Sequence, residues 1–336
     1  MSPTVCSPTG EIVQLNPRAF AQGGEAVVHE VQQFPGVIVK LYHPRVRAER
    51  GDILRKKIDA MSSDPRLAKL TQHPGLAWPR FSVFDAQKQW CGYAMRRAQG
   101  QPMTKLAHAM AYREHFPRLD RPMLVSYLLN LLGTVQQLHQ IGVMVGDYNP
   151  ANFLCDPGSG RVTLIDCDSW QLRAQGQQFA CPVAVADMLA PELIGKTLSQ
   201  VTRTIESERF SVAILLFKTL MLGRHPFDVV GGESPVENIR KGHFPYGLGG
   251  GGIPKGPWFN IWSHLPYKLK EQLVRTFKDG AHQAGERTDT AQWLDLLTVY
   301  QREMGRGWHD PTLKPQAPKS KDYKGHSASM SAAQPA

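Results

Sequence analysis

Three side chains that could bind magnesium and a phosphorylated substrate occur close together in the chain. Asp147 and Asn152 form the pattern D-x-x-x-x-N, and Asp166 follows at the end of the apolar run 162–165. An aspartate on a short loop can accept a hydroxyl proton, and Mg²⁺ takes a few hard oxygen ligands such as Asn and Asp. Phosphoryl transfer needs a metal, a base and orientation. This spacing predicts that Asp147 is the base and that Asn152 and Asp166 hold the metal.

The elements that must position these residues fall into two regions. Before Ala98 the patterns are mainly strand-like, with one helical segment that carries Leu54, Ile58 and Met61 on one face. We expect a turn and strand at 22–31, a strand at 36–42, a helix at 45–61, and strands at 78–84 and 89–95. The later pattern predicts helices at 123–141, 210–222, 265–278 and 290–304. A strand-rich lobe followed by a helical lobe is an α+β arrangement.

Together these motifs resemble the protein-kinase superfamily. Asp147 and Asn152 followed by Asp166-Cys-Asp168 are similar to its catalytic and metal loops. Five further segments resemble kinase elements in the right order: the Gly-rich loop at 21–28, the strand with the phosphate-binding lysine at 37–40, the A-P-E element at 190–192, the central C-lobe helix and its end at 208–227, and the closing element at 286–293. The resemblance covers residues 15–300.

Three shorter motifs narrow the resemblance to a bacterial family. V-G-D-x-N-P-x-N, I-D-C-D-S-W-Q and M-L-G-R-H-P-F are similar to the YegI-like, TerY-associated Ser/Thr kinase-like family. This resemblance implies ATP and Mg²⁺ as cofactors and a protein hydroxyl as the acceptor. It also implies two partners, a von Willebrand type A domain protein and a metal-dependent protein phosphatase.

The resemblance further implies a bilobal protein-kinase-like fold, with a small antiparallel-sheet N-lobe at 1–98 and a larger, mainly helical C-lobe at 99–309. It gives Lys40 a catalytic role beside Asp147, and a buried ion pair is expected between Glu192 and Arg287. The residues implied in cofactor binding are Ala21, Gly23, Gly24, Lys40, Met95, Asn152 and Asp166. Residues 310–336 contain almost no apolar side chains, so we expect a disordered tail.

Some positions depart from the kinase pattern. Ala21 and Ala26 stand where glycine is expected in the phosphate loop, and their methyl groups limit close approach to phosphate. The acidic partner of Lys40 on the following helix is not clear from the sequence. Glu49, Asp52 and Asp59 are the candidates, with Asp59 favoured, and the other interpretation of each is a surface charge.

We do not expect activation by phosphorylation of the loop after the metal motif. Val145 and Gly146 occupy the positions of the His and Arg that precede the catalytic Asp in kinases, so no Arg is available there to bind a phosphate. Between Trp170 and Ala190 the chain has no Ser, Thr or Tyr. The run 249–252 lacks the flanking residues of a phosphate-binding loop and is interpreted as a flexible connection.

The composition defines the broad class of protein. With 336 residues, 42% of them hydrophobic and 20% charged, the chain is long enough for two cores and is neither collagen-like nor fully disordered. No apolar stretch reaches the roughly 20 residues of a membrane span, and the first residues do not resemble a secretory signal. Five cysteines without a C-x-x-C motif favour a reduced, cytoplasmic setting over disulfides or zinc.

The sequence favours an ATP- and Mg²⁺-dependent Ser/Thr protein kinase, because the A-P-E element and the C-lobe motifs suit a protein substrate. A pseudokinase that senses nucleotide or binds proteins is the first alternative, and a small-molecule phosphotransferase is the second. The net charge of +10 suits a polyanionic ligand such as a nucleotide, and nucleic-acid binding is the lesser interpretation of it. We expect no membrane partner.

Overall fold

The computed structural model describes residues 3–247 and 252–319, so the predicted connection at 249–252, apart from Gly252, lies outside the described residues. The strands are β1 (Thr4–Cys6), β2 (Ile12–Gln14), β3 (Ala21–Gln22), β4 (Ala26–Glu30), β5 (Val37–Tyr42), β6 (Pro79–Phe84), β7 (Trp90–Arg96), β8 (Gln101–Pro102), β9 (Phe153–Cys155), β10 (Val162–Leu164), β11 (Leu172–Ala174) and β12 (Gln177–Phe179). The predicted strands are present, whereas the β1–β2 hairpin was not predicted.

The helices are α1 (Pro44–Ser63), α2 (Met103–Leu106), α3 (Tyr112–His115), α4 (Arg121–Gln140), α5 (Ile205–Leu220), α6 (Pro235–Arg240), α7 (Trp258–His264), α8 (Tyr267–His282) and α9 (Thr290–Gly305). The four long helices predicted in the second region correspond to α4, α5, α8 and α9, and their ends differ from the prediction by a few residues. The predicted helix at 45–61 is α1, which starts at a proline in its first turn.

The first seven strands form one antiparallel sheet in the order β2-β1-β6-β7-β5-β4-β3. The sheet curls so that its two faces belong to different cores. On one face Val39, Val83 and Ala94 pack with Val5 and Val13 of the first hairpin. On the other face Ile38, Tyr93 and Met95 join α1 and the helical lobe in one continuous core. This α+β, two-lobed architecture agrees with the expected fold class.

Helix α5 is the centre of the helical lobe. Residues 210–217 are all buried, so the helix is apolar around its whole circumference, as expected for a central helix. It begins with a capping box between Thr204 and Ser207. Near its end, Phe217 lies among the rings of Phe244, Tyr246, Trp262 and Phe277, with centroids 5.0–6.1 Å from its own. The aromatic packing anchors the C-terminal part of α5 in the core of the helical lobe.

The expectation of disorder from residue 310 is wrong for residues 310–319, which pack against the helical lobe. Leu313 is buried, and the guanidinium of the buried Arg121 donates to the carbonyl oxygens of Leu313 (2.7 Å) and Leu220 (2.6 Å). The Arg121 amide also donates to the carbonyl oxygen of Pro311 at 2.9 Å. One apolar anchor and backbone hydrogen bonds are enough to order a segment of low apolar content. The rest of the predicted tail lies outside the described residues.

All five cysteines are free thiols. Within residues 3–247 and 252–319, no helix combines the length and the apolar character that crossing a bilayer requires.

Candidate active site

The segment 143–152, between α4 and β9, is supported by one buried carboxylate. Glu208 on α5 accepts hydrogen bonds from the backbone N–H groups of Val145 and Gly146, both at 2.9 Å, and from the hydroxyl of Tyr148 at 2.8 Å. Hydrogen bonds to a charged acceptor are stronger than those between neutral groups. Since Glu208 is only 1% exposed, water does not compete for these bonds, and the loop backbone has one defined position on α5.

Gly146 explains why this loop has no arginine before Asp147. Its φ is +71°, in the left-handed region that favours glycine. A Cβ atom at this position would lie 2.6 Å from Sγ and 2.8 Å from Cβ of Cys181. A side chain therefore cannot be accommodated unless the segment that carries Cys181 moves away.

Asp147 is held in place by its neighbours in the loop. Its two carboxylate oxygens accept hydrogen bonds from the Asn149 backbone N–H (3.3 Å) and from the Asn152 side-chain amide (3.1 Å). Burial raises the pKa of Asp147 above its usual range, although these hydrogen bonds and the charge of Arg203 oppose the shift. A raised pKa improves a carboxylate as a general base near neutral pH.

Asn152 and Asp166 come from adjacent backbone segments. The amide of Ile165 donates to the carbonyl oxygen of Asn152 at 2.9 Å, which joins the loop at 147–152 to the end of β10. Asp166 then adopts φ 60° and ψ 34°, a left-handed conformation that is uncommon for residues other than glycine and that Asp tolerates best together with Asn. Strained backbone of this kind is concentrated at functional sites. The turn aims the Asp166 carboxylate at Lys40.

Lys40 links the two lobes. Its Nζ lies 2.5 Å from Oδ1 of Asp166 and 2.8 Å and 2.9 Å from the two carboxylate oxygens of Asp168. Burial alone would lower the pKa of Lys40, but the charges of Asp168 and Asp166 outweigh burial and raise that pKa. The lysine therefore stays charged and connects β5 of the small lobe to the metal loop of the large one.

Asp168 differs from Asp166 in its surroundings. Its side chain is 6% exposed, against 37% for Asp166, and it also accepts hydrogen bonds from the hydroxyls of Tyr42 and Tyr93 (2.6 Å for Tyr93). Burial alone would raise the pKa of Asp168, but the ammonium of Lys40 and these hydrogen bonds lower it to about 2. Asp168 is thus a buried carboxylate whose hydrogen bonds favour its charged form.

The expectation that α1 supplies the acidic partner of Lys40 is wrong. Asp59 accepts a hydrogen bond from the Ser82 hydroxyl at 2.5 Å and pairs with Arg55, and Glu49 pairs with Arg45. Asp52, the third candidate, is exposed on α1, and the ion-pair partners of Lys40 are Asp166 and Asp168. The metal loop replaces the helix as the source of the carboxylate.

The glycine-containing loop is a tight hairpin turn between β3 and β4. The Gly23 amide donates to the carbonyl oxygen of Ala26 at 2.9 Å, and Ala21 is exposed in β3 opposite Val28. Neither Gly23 nor Gly24 has a positive φ, and a Cβ at Gly24 would meet no atom within 4 Å. The open space over this turn is compatible with a ligand that approaches the backbone.

Met95, the other residue expected near the nucleotide, is buried in β7 opposite Ile38 and belongs to the core between the lobes.

The donor set fits a magnesium ion that is shared with a nucleotide. Asn152 uses its amide N–H₂ on Asp147, which leaves its oxygen as a neutral ligand, and the carboxylate of Asp166 is partly exposed and lies 2.5 Å from Lys40. In the described residues no cluster of three or more His, Cys, Asp or Glu side chains could bind a metal ion alone. Two protein oxygens completed by phosphate and water are the usual coordination of Mg²⁺ at phosphate-transfer sites.

Glu192 and Arg287 form a bidentate ion pair, with both N···O distances at 2.7 Å. The Arg287 side chain is 2% exposed and also donates to the carbonyl oxygens of Gly280 and Glu206, whereas the Glu192 side chain is 42% exposed. The pair is therefore buried only at its Arg287 end. It fixes the end of the segment that follows the metal loop to α8 and the start of α9.

Sequence reasoning did not single out Arg203, which precedes α5. Its side chain is buried and donates to the carbonyl oxygens of Gly146 (2.8 Å) and Val183 (2.9 Å). Its own amide donates to the side chain of Gln171 at 2.7 Å. No local motif marks such a residue, because its partners are backbone atoms from other segments. Asp168 was visible only as the third residue of Asp166-Cys-Asp168.

In sequence, the chain is similar to proteins named as protein kinases. The chain is 27% identical over 316 residues to the protein kinase YegI of Escherichia coli O157:H7, a match that covers 90% of this chain and 47% of YegI. It is 26% identical over 318 residues to ribosomal protein S6 kinase alpha-6 of Mus musculus, which covers 90% of this chain and 38% of that kinase. The chain thus spans about half the length of the YegI protein that it matches. No protein-family model matches it.

Among solved structures, a rhoptry kinase from Toxoplasma gondii superposes with a TM-score of 0.61 and 12% sequence identity, covering 92% of this chain and 86% of that one. At this identity the likeness concerns the fold, which is the protein-kinase fold. The similarity to YegI in sequence and to a kinase in structure confirms the resemblance that the motifs indicated.

Proposed function

We propose that this chain, which has the protein-kinase fold and is similar in sequence to YegI, is an ATP- and Mg²⁺-dependent Ser/Thr protein kinase. The observation that carries the proposal is a continuous set of contacts: Asn152 donates to Asp147, Ile165 beside Asp166 donates to Asn152, and Asp166 pairs with Lys40. Because the chain spans about half of the YegI protein, we propose its activity, its substrate and its partners from its own residues.

In the proposed reaction each side chain has a defined task. Asp147, which Asn152 orients, accepts the proton of the acceptor hydroxyl as that oxygen forms a bond to the γ-phosphorus of ATP; the bond from this phosphorus to the bridging oxygen breaks, and ADP leaves. Lys40 binds the phosphates of ATP, and Asn152 and Asp166 hold the metal. When bound, Mg²⁺ supplies neutralisation of the charge on the phosphate oxygens. Burial of Asp147 supports its task, because a carboxylate with a raised pKa is a better base.

A protein acceptor is supported by the segment that follows the metal loop. Its end is held by the Glu192–Arg287 pair and its middle by Arg203 at the Val183 carbonyl oxygen. A segment anchored at two points is a suitable platform for an extended peptide beside Asp147. Because Arg203 holds it without any phosphate, the kinase would not need activation by phosphorylation of this segment. The von Willebrand type A domain protein and the phosphatase stay predictions from the family resemblance.

A scaffold without catalysis, acting as a nucleotide sensor or as a protein-binding module, is the second candidate. The direct contact of Lys40 with Asp166 favours the protein-binding form, because both residues must exchange partners before a nucleotide and a metal can bind.

The experiment compares wild type, Asp166→Ala and the exposed control Asp295→Ala for Mg²⁺-dependent transfer from labelled ATP. Casein is offered as a protein acceptor, and sugars and aminoglycosides as small ones. The kinase proposal expects phosphoserine or phosphothreonine on protein for wild type and control and none for Asp166→Ala. ATP binding without turnover in the wild type would instead indicate the scaffold, and transfer only to small acceptors would contradict a protein kinase.

A further inference from the structure

Lys40 of β5 is held by the same short loop that carries Asp166, the proposed metal ligand. Lys40 forms hydrogen bonds and ion pairs with Asp166 and Asp168, which are two residues apart and both lie outside α1. The buried residues of α1 are Val46, Lys57, Ile58, Ala60 and Met61, so its inward face offers a lysine and no acid. A carboxylate from α1 is therefore not available to hold Lys40 in this arrangement.

Asp168 is surrounded by donors from two neighbouring strands. Tyr42 lies two residues after Lys40 on the same face of β5, and Tyr93 is directly opposite Lys40 in β7. Lys40 donates to both oxygens of Asp168, Tyr93 donates to Oδ1 and Tyr42 to Oδ2. Each carboxylate oxygen thus accepts two hydrogen bonds, which leaves no lone pair for a metal ion. Asp168 and Asp166 consequently have different tasks, although they belong to one motif.

We propose that Asp168 is the positioning residue that holds Lys40 for the phosphates of ATP, in place of a carboxylate on α1. The inference rests on the proposed function and goes beyond it, since it assigns a residue that acts through Lys40. When a nucleotide engages Asp166, Lys40 keeps its two contacts with Asp168. Because Asp168 lies on the metal loop, the position of Lys40 for binding phosphates does not depend on the position of α1.

A double-mutant cycle on nucleotide binding tests this assignment. The affinity for ATP with Mg²⁺ is measured by isothermal titration calorimetry for wild type, Lys40→Met, Asp168→Asn and the double variant. We expect at least a tenfold loss for each single variant, and we expect the double variant to be no weaker than Lys40→Met. Asp59→Asn is the matched control on α1 and should bind ATP as wild type does.

Two outcomes would overturn the inference. One is a folded Asp168→Asn protein with wild-type affinity for ATP, and the other is a double variant whose loss equals the product of the two single losses. A wild-type protein that binds no ATP would contradict the proposed function itself, and with it this inference. If the wild-type protein binds ATP but transfers no phosphate, the double-mutant cycle still tests the role of Asp168 in ATP binding.

If Asp168→Asn does not fold, the variant Tyr93→Phe tests the same assignment. It removes one hydroxyl that donates to Asp168 and keeps the ring and both charges. A positioning role predicts a two- to fivefold weaker affinity for ATP. A purely structural role predicts a lower melting temperature with unchanged affinity, and this result would overturn the inference.

Discussion

The guanidinium of Arg203 donates to the carbonyl oxygen of Gly146 at 2.8 Å, one residue before Asp147. The same group donates to the Val183 carbonyl oxygen at 2.9 Å, so one buried side chain joins the loop of the proposed base to the segment after the metal loop. Gly146 has no room for a side chain beside Cys181. The loop itself cannot carry an arginine before Asp147, and Arg203 provides a cation there from another part of the chain. Arg203 binds backbone carbonyl oxygens, whereas a loop arginine in kinases would bind a phosphate.

Arg203→Lys should weaken this connection, because lysine keeps the charge but lacks the planar fork that reaches both carbonyl oxygens. We expect the free energy of unfolding to fall by about 2 kcal/mol, the cost of leaving buried acceptors unpaired. Phosphoryl transfer should fall at least about tenfold. Urea denaturation and labelled-ATP assays measure both effects, with the exposed Arg173→Lys as the matched control.

The companion measurement treats wild type with a phosphatase before the assay, and we expect no loss of activity. An activating phosphate found between Asp166 and Glu192 by mass spectrometry would refute the account of Arg203.

Glu208→Gln tests the support of the catalytic loop. The carboxylate accepts two backbone N–H groups and the Tyr148 hydroxyl, while an amide replaces one acceptor oxygen with a donor that faces these donors. We expect a loss of about 2–3 kcal/mol of unfolding free energy and a clear fall in transfer rate. Glu271→Gln, exposed on α8, is the control. Wild-type kinetics in Glu208→Gln would mean that the loop is held by other contacts.

The Glu192–Arg287 pair predicts a pH dependence of stability. Burial alone would raise the pKa of Glu192, but the hydrogen bonds from Arg287 outweigh it and hold that pKa below its usual range. A depressed folded-state pKa adds stability above the unfolded-state pKa, about 4.3, and this stability is lost as the pH falls through the folded-state pKa.

Since Glu192 is partly exposed, we expect Glu192→Gln to cost only about 1 kcal/mol at pH 7, and less at pH 3.5. Chemical denaturation of both proteins at the two pH values measures the difference. A cost of the same size at both pH values would contradict a charge-based role.

The segment 310–319 should contribute to stability. A chain that ends after His309 loses the buried Leu313 and two carbonyl partners of Arg121, those of Leu313 and Pro311. We expect it to be about 3 kcal/mol less stable than a chain that ends after Lys319. Thermal and urea unfolding of the two chains, which differ only in this segment, make the comparison. Equal stability would show that the packing seen here contributes little.

The elements of the fold were predictable where the pattern is local and long. The helices α4 and α9 follow from apolar spacing, and β5 follows from its β-branched run. The β1–β2 hairpin has strands of three residues, too short for an alternating pattern to be recognised. The ordered structure of 310–319 was not predicted, because composition does not reveal that Arg121 donates hydrogen bonds to the backbone of this segment.

In the candidate site, too, some residues could be predicted from local spacing and others could not. Asp147, Asn152 and Asp166 lie within one stretch of sequence, so their spacing carried the information. The partner of Lys40 could not be predicted in this manner, because Asp168 meets Lys40 and Tyr42 across 128 and 126 residues and Tyr93 across 75. The inward position of Lys57, one residue before the predicted apolar Ile58, was likewise set by packing and not by pattern.

The most direct test of the central claim compares wild type with Asp147→Asn in transfer of label from ATP in the presence of Mg²⁺, with ATP affinity measured on the same samples. The account predicts that Asp147→Asn binds ATP like wild type but transfers phosphate at least about a hundredfold more slowly, because the base is lost and the binding residues remain. Transfer by Asp147→Asn at the wild-type rate would contradict it.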